Sequence, residues 1–172
     1  MDKTRKIVTS ALFAALIFIA TLFFTVKLPN GYANLGDCFI IIAACLMGAK
    51  YGAAASAIGA ALADIMLGYQ SYAPATFVIK ALMAVIAALI YTSLGNRSKL
   101  LAVFSASLLA ETFMALGYFA FECFLYGFGA ALLSVFGNAM QGIVNIVAAL
   151  LIMAVMTKNK YIVTYFNNLG KK

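Results

Sequence analysis

No histidine occurs anywhere in the 172 residues, and only five residues are acidic. The missing imidazole removes the commonest general base and metal ligand. Ser56 and Ser71 therefore have no partner for nucleophilic catalysis, and no zinc-type ligand set can be assembled. The three cysteines, Cys38, Cys45 and Cys123, all lie inside apolar runs. That placement reads as small core residues rather than a disulfide framework. No Gly-x-x-x-x-Gly-Lys-Ser/Thr phosphate loop is present. No catalytic, metal or cofactor residue is assigned, and an enzyme is not expected.

Charge is scarce as well. Charged residues make up 10% of the chain and hydrophobic ones 66%, whereas soluble domains carry about 25% charged and about half apolar residues. A soluble domain of this size leaves much of its surface exposed and could not hide so much apolar area. Lipid is the solvent that fits. The formal net charge of +7 does not indicate nucleic acid, because the basic residues sit at the ends of apolar runs instead of clustering on one polar face.

Six apolar runs are visible, and they predict a single all-α membrane domain over 1–172, a six-transmembrane-helix bundle. Their helices are placed at roughly 7–26, 37–49, 52–67, 75–94, 100–125 and 130–156. The first is too long for a signal peptide, whose apolar core spans about 7–15 residues, and is expected to stay in the mature protein. Pro, Gly and Asn mark 27–37 as a loop. The second run, Cys38 to Met47, would rise only about 15 Å, so it either borrows flanking residues or spans partially. The tail from Lys158 is polar and basic.

With the N-terminus inside, the inner segments hold Lys3, Arg5, Lys6, Lys50, Arg97, Lys99, Lys158, Lys160, Lys171 and Lys172, while the outer connections hold only Lys27. Ten against one is the bias that the positive-inside rule requires, and it predicts that both termini are cytoplasmic.

Charges within spanning helices are costly and mark function by default. Asp37, Asp64, Lys80 and Glu122 fall in the outer half and Glu111 near mid-membrane. Three helical stripes converge with them: Glu111–Tyr118–Glu122; Asn138–Gln141–Asn145; and Gly52–Ser56–Ala60–Asp64, a small-residue face ending in a carboxylate. Asn34, Asp37, Asp64, Tyr69, Lys80, Glu111, Asn138 and Gln141 are therefore expected to line one outward-facing cavity, since lipid cannot satisfy their hydrogen bonds. The competing reading is structural, an ion pair between Lys80 and an acid together with interhelical hydrogen bonds.

The stretch from Leu28 to Lys80 resembles the substrate-binding S component of energy-coupling factor (ECF) vitamin transporters. The resemblance lies in Gly31-Tyr-Ala-Asn-Leu-Gly-Asp37, Gly48-Ala-Lys-Tyr-Gly52, Ala63-Asp64 and Gly68-Tyr-Gln-Ser-Tyr-Ala-Pro-Ala-Thr-Phe-Val-Ile-Lys80. The likeness is greatest to the riboflavin and pyridoxine/hydroxymethylpyrimidine types. The remaining half matches only in length, layout and hydropathy.

The resemblance implies a subunit of the cell membrane that captures a vitamin from outside, in a pocket capped by the loops after the first and third helices. A transmembrane coupling subunit and two ATPases would drive release inside. It also implies that Ala11 and Ala15, small residues four apart on the first helix, contact the coupling subunit. Four carboxylates against one lysine in the outer half favour a neutral or cationic ligand, pyridoxine or hydroxymethylpyrimidine first and riboflavin next. The rival functions are an autonomous channel or secondary transporter and a ligand-free assembly protein.

Overall fold

The computed structural model describes residues 3–28, 31–95 and 98–170. Pro29 and Asn30 of the first loop, and the basic residues Arg97, Lys171 and Lys172, lie outside the described residues. Six helices and one small hairpin follow in order: α1 (Lys3–Phe23), β1 (Thr25–Leu28), β2 (Gly31–Asn34), α2 (Gly36–Leu67), α3 (Ala73–Leu94), α4 (Lys99–Tyr126), α5 (Phe128–Lys158) and α6 (Lys160–Gly170). Helices α1 to α5 are each long and apolar enough to cross a membrane.

Two expectations change, and the tail, for which no structure was expected, gains one. The first helix stops at Phe23, short of Val26, and an antiparallel pair of strands takes up the end of that run and most of the 27–37 loop, pairing Thr25 with Asn34 and Leu28 with Gly31. The expected helices 37–49 and 52–67 both fall within α2, where non-helical Gly48 separates two limbs; with α2 taken as one element, five are long and apolar enough to span. The polar tail folds into α6, tied back to the start of α1 by a hydrogen bond between Tyr165 and Thr9 (2.9 Å).

Helix α2 is not straight. Gly48 has φ 75° and ψ 176° inside it, a combination open almost only to glycine. Beyond this residue the chain reverses. A Cβ added at Gly52 would sit 2.8 Å from Ala44 Cα and 3.3 Å from Ala43 O, whereas residues eight apart on a straight helix are about 12 Å apart. The limbs 36–47 and 49–67 therefore pack against each other, with glycine at the point of closest approach.

The other ends are built by local signals. Gly68, at φ 87°, caps α2 by donating back toward Ile65 and Asp64, as a left-handed C-terminal residue does. Pro74 sits in the first turn of α3, where its missing N–H costs nothing. Ser98 accepts from Leu101 N–H to start α4.

Burial is reversed relative to a water-soluble bundle. Large apolar side chains such as Leu12, Leu62, Leu116, Phe136 and Val155 are exposed, while Asp37, Asp64, Lys80, Glu111, Glu122, Asn138, Gln141 and Asn145 are buried. Between the helices lie many small residues, among them Ala43, Ala44, Ala84, Ala87, Ala106 and Ala110, with Ile40 to Ile42, Met83 and Met114 filling the remainder. Small residues allow the close backbone approach on which helix association in lipid depends.

Candidate functional site

The polar side chains collect at the end of the bundle that carries the hairpin. Asp37 lies in the first turn of α2 and Asp64 near its last, so the reversal at Gly48 returns the chain to the same end. There Lys80 of α3 meets Asp37 at 2.6 Å, with both side chains almost wholly buried. Gln141 of α5 donates to the other Asp37 oxygen at 2.5 Å. The Lys80 ammonium also lies 5.3 Å from the centre of the Tyr118 ring. Four helical segments are thereby joined through one neutralised pair, and the ion pair named as the structural reading is present.

The hairpin is fastened over this centre. Asn34 N–H donates to Gln141 Oε1 (3.0 Å), and Asn34 O accepts from Asn145 Nδ2 (2.8 Å). Asn145 Oδ1 in turn accepts from Cys38 N–H (2.8 Å). The Tyr32 hydroxyl donates to Asp64 Oδ1. From the turn after α2, Tyr69 OH donates to Gly31 O at 3.3 Å. Leu28 fills the notch left by Gly137 on α5, lying where a Cβ would fall. Asn145 belongs to this hairpin end, although its place in the sixth run suggests greater depth.

Tyr32, Tyr69 and Tyr72 form a continuous aromatic wall, with ring centres 5.1 Å apart for Tyr32–Tyr69 and 6.0 Å for Tyr69–Tyr72. Phe121 meets Tyr72 edge-on at 5.3 Å. Burial, followed by the neighbouring Asp64 carboxylate, pushes the Tyr32 phenol far above its ordinary range. Burial and hydrogen bonding raise Tyr72 likewise. Both remain neutral donors at physiological pH. Glu122 accepts from Ser134 and from Tyr72 OH (3.4 Å), and Thr76 pairs with Tyr118 OH at 2.9 Å.

Between the wall and the ion pair runs a narrow cavity of about 30 Å³, roughly the room needed by one or two waters. Asn34, Asp64, Tyr69, Lys80, Asn138 and Gln141 line it. Asp37 does not line it and meets Lys80 and Gln141, which do. Glu111 does not line the cavity; it packs against Gly142, and neither carboxyl oxygen has a hydrogen-bond partner. Residues not singled out from the sequence also contribute, notably Thr21, Tyr32, Tyr72, Thr76 and Ser134. Tyr118 and Glu122 stood on a recognised stripe, but neither was assigned to the cavity they help to line. Among the described residues no group of three metal-ligating side chains converges.

A second depression, apolar and about 620 Å³, runs between α1 and the 49–67 limb. Ala11, Ala14 and Ala15 line it with Ile58, Gly59 and Leu62, and Lys50 and Tyr51 lie along it.

Buried polar groups under a tyrosine-walled hairpin, inside a bundle that turns its apolar side chains outward, define a multi-pass membrane protein built around a closed polar site. The sequence comparisons specify the class. The sequence model of the family described as ECF-type riboflavin transporter, S component, matches residues 1–158, and the chain belongs to that family. It is also 32% identical over 133 residues to a Pyrococcus woesei protein described as an uncharacterized protein in the gap 3'region; the match covers 76% of this chain and 87% of the relative. The protein is thus a transmembrane S component, of a family whose members are transporter subunits.

Proposed function

We propose that this chain captures a water-soluble vitamin at the outer face of the cell membrane and hands it inward through an ECF module. One observation carries the reading: the buried Asp37–Lys80–Gln141 centre, roofed by a hairpin and a tyrosine wall at one end of the bundle. Such a cluster is expensive in lipid and tends to persist where it serves a ligand or a pathway. All five buried charged side chains lie at the hairpin end or, for Glu111, midway along α4. A through-going channel would need a polar path at the other end as well.

Six crossings follow if each limb of α2 counts as one. The chain then runs toward the hairpin along α1, away and back along the two limbs of α2, away along α3, toward it along α4, and away along α5. Lys3, Arg5, Lys6, Lys50, Lys99, Lys158 and Lys160 belong to the far end in that trace, so both termini are cytoplasmic and the hairpin faces outward.

Asn34, Asp64, Tyr69, Lys80, Asn138 and Gln141 serve as ligand contacts, with Asp37 holding Lys80 and Gln141 in place. The cavity is too small for any vitamin while Tyr32 and Tyr69 stand inward, so entry requires the hairpin to lift. The description of the matching family places riboflavin first among the ligands to test, ahead of pyridoxine and hydroxymethylpyrimidine. All three are flat heteroaromatics suited to stacking on tyrosine faces.

Ala11 and Ala15 present the apolar groove to the transmembrane coupling subunit, and two ATPase subunits supply the energy. Uptake of labelled vitamin into proteoliposomes is the test. The chain with its coupling subunit and ATPases should accumulate riboflavin in an ATP-dependent way, and Ala15→Trp should abolish this while leaving binding by the isolated chain intact. Accumulation by the chain alone would refute the reading.

A further inference from the structure

Four buried side-chain atoms among the described residues have no hydrogen-bond partner: Asp64 Oδ2, both oxygens of Glu111, and Asn138 Nδ2. Glu111 lies off the cavity, whereas Asp64 and Asn138 both line it. Asp64 is 2% exposed and Asn138 7%, and no protein group hydrogen-bonds these two atoms; the cavity beside them has room for one or two waters that a ligand would displace. The neighbouring polar groups on the wall are engaged with each other. Tyr32 is used by Asp64 Oδ1, Ser134 by Glu122, and Lys80 and Gln141 by Asp37, while the Thr76 hydroxyl is shared between Tyr118 and the Asp64 carboxylate. What remains is one acceptor, on the second limb of α2, and one donor, on α5.

We propose that Asp64 Oδ2 and Asn138 Nδ2 are specificity-determining contacts that read a donor and an adjacent acceptor on one edge of a flat heterocycle. The inference rests on the vitamin-binding reading and narrows its substrate class to rings with an N–H beside a carbonyl or a ring nitrogen. The physical cause is the asymmetry of buried hydrogen bonds. A buried polar atom left unpaired is penalised far more than a paired one is rewarded. A site built to pair with a donor therefore rejects an analogue lacking it much more strongly than it would reject a change in apolar bulk. Asp64 also accepts from Tyr32 on the hairpin, so a ligand edge that engages this carboxylate competes with the contact that holds Tyr32 inward.

Riboflavin and its N3-methyl derivative are the probes, because methylation removes the imide donor and keeps the ring. Flavin fluorescence quenching on the detergent-purified full chain gives both affinities, and melting without ligand reports folding. Wild type should bind riboflavin at least about tenfold more tightly than the methylated form. Asp64→Ala should weaken riboflavin binding about ten- to hundredfold and erase that preference, and Asn138→Ala should weaken both ligands about tenfold. Asp64→Leu, close in size and without a hydrogen-bonding atom, serves if the alanine variant melts early, and should also lose the preference. Equal binding of the two flavins by wild type, or an unchanged preference in a folded Asp64 variant, overturns this inference and leaves the vitamin-binding reading standing. Failure of wild type to bind any of riboflavin, pyridoxine and hydroxymethylpyrimidine overturns that reading, and this inference with it.

Discussion

Replacing Lys80 by methionine keeps the length and volume of the side chain and removes the ammonium that neutralises Asp37. The pair is 2.6 Å long, with side-chain exposures of 3% and 1%, so solvent cannot screen the remaining charge. Removing one member of such a buried pair costs about 3–5 kcal/mol, chiefly the penalty of an uncompensated charge. Gln141 still donates to Asp37 Oδ2, which sets the expectation nearer the lower figure. Asp37→Asn strands the lysine and should cost a similar amount. The double variant Asp37→Asn/Lys80→Met carries no charge and keeps an acceptor for Gln141. It should recover most of the loss, since replacing both members of a buried pair is often close to neutral. Reversible unfolding in mixed micelles supplies the three free energies of a double-mutant cycle, and a coupling of about 2 kcal/mol or more is expected. Additive single-variant losses, within about 0.5 kcal/mol, would show that the pair does not hold the four segments together.

Gly48→Ala should destabilise the protein by about 1–3 kcal/mol without changing vitamin affinity, because nothing lies within 4 Å of the added methyl and only the φ of 75° resists it; unfolding and binding measured together check this. Gly137→Val should push Leu28 out of its notch and loosen the hairpin. Stopped-flow release of bound vitamin should quicken about tenfold, the equivalent of about 1.4 kcal/mol, and an unchanged rate would remove Leu28 from the closure. A cysteine at position 98 should react with an impermeant maleimide only from the cytoplasmic side, and labelling from outside would end the six-crossing arrangement.

The parts of the fold that could be read in advance are those with a periodic or compositional signal. The apolar runs mark the long helices, and Gly48 to Gly52 marks the reversal within α2. The hairpin escaped because Thr25-Val-Lys-Leu28 joins an apolar helix without a break, and its pairing depends on Gly31–Asn34 across the turn. The inward faces of the helices were legible from stripes, since Gly52, Ser56, Ala60 and Asp64 are all buried, as are Asn138, Gln141 and Asn145. Glu111 shared such a stripe with Tyr118 and Glu122, yet it faces Gly142 instead of the cavity. A stripe fixes the face of a helix, and the packing partner decides what that face meets. Tyr32 and Tyr72 lie in connections where spacing carries no information, so only the folded chain brings them to Asp64 and Glu122.

The central claim is that the isolated chain holds a vitamin at the hairpin end of the bundle. A native mass spectrum of the detergent-purified full chain, supplied with riboflavin, pyridoxine and hydroxymethylpyrimidine together, tests it directly. The predicted spectrum shows one bound vitamin per chain, with the bound fraction falling at least about tenfold in Gln141→Ala. A bare chain at saturating concentrations of all three, or a complex that Gln141→Ala leaves unchanged, would contradict it.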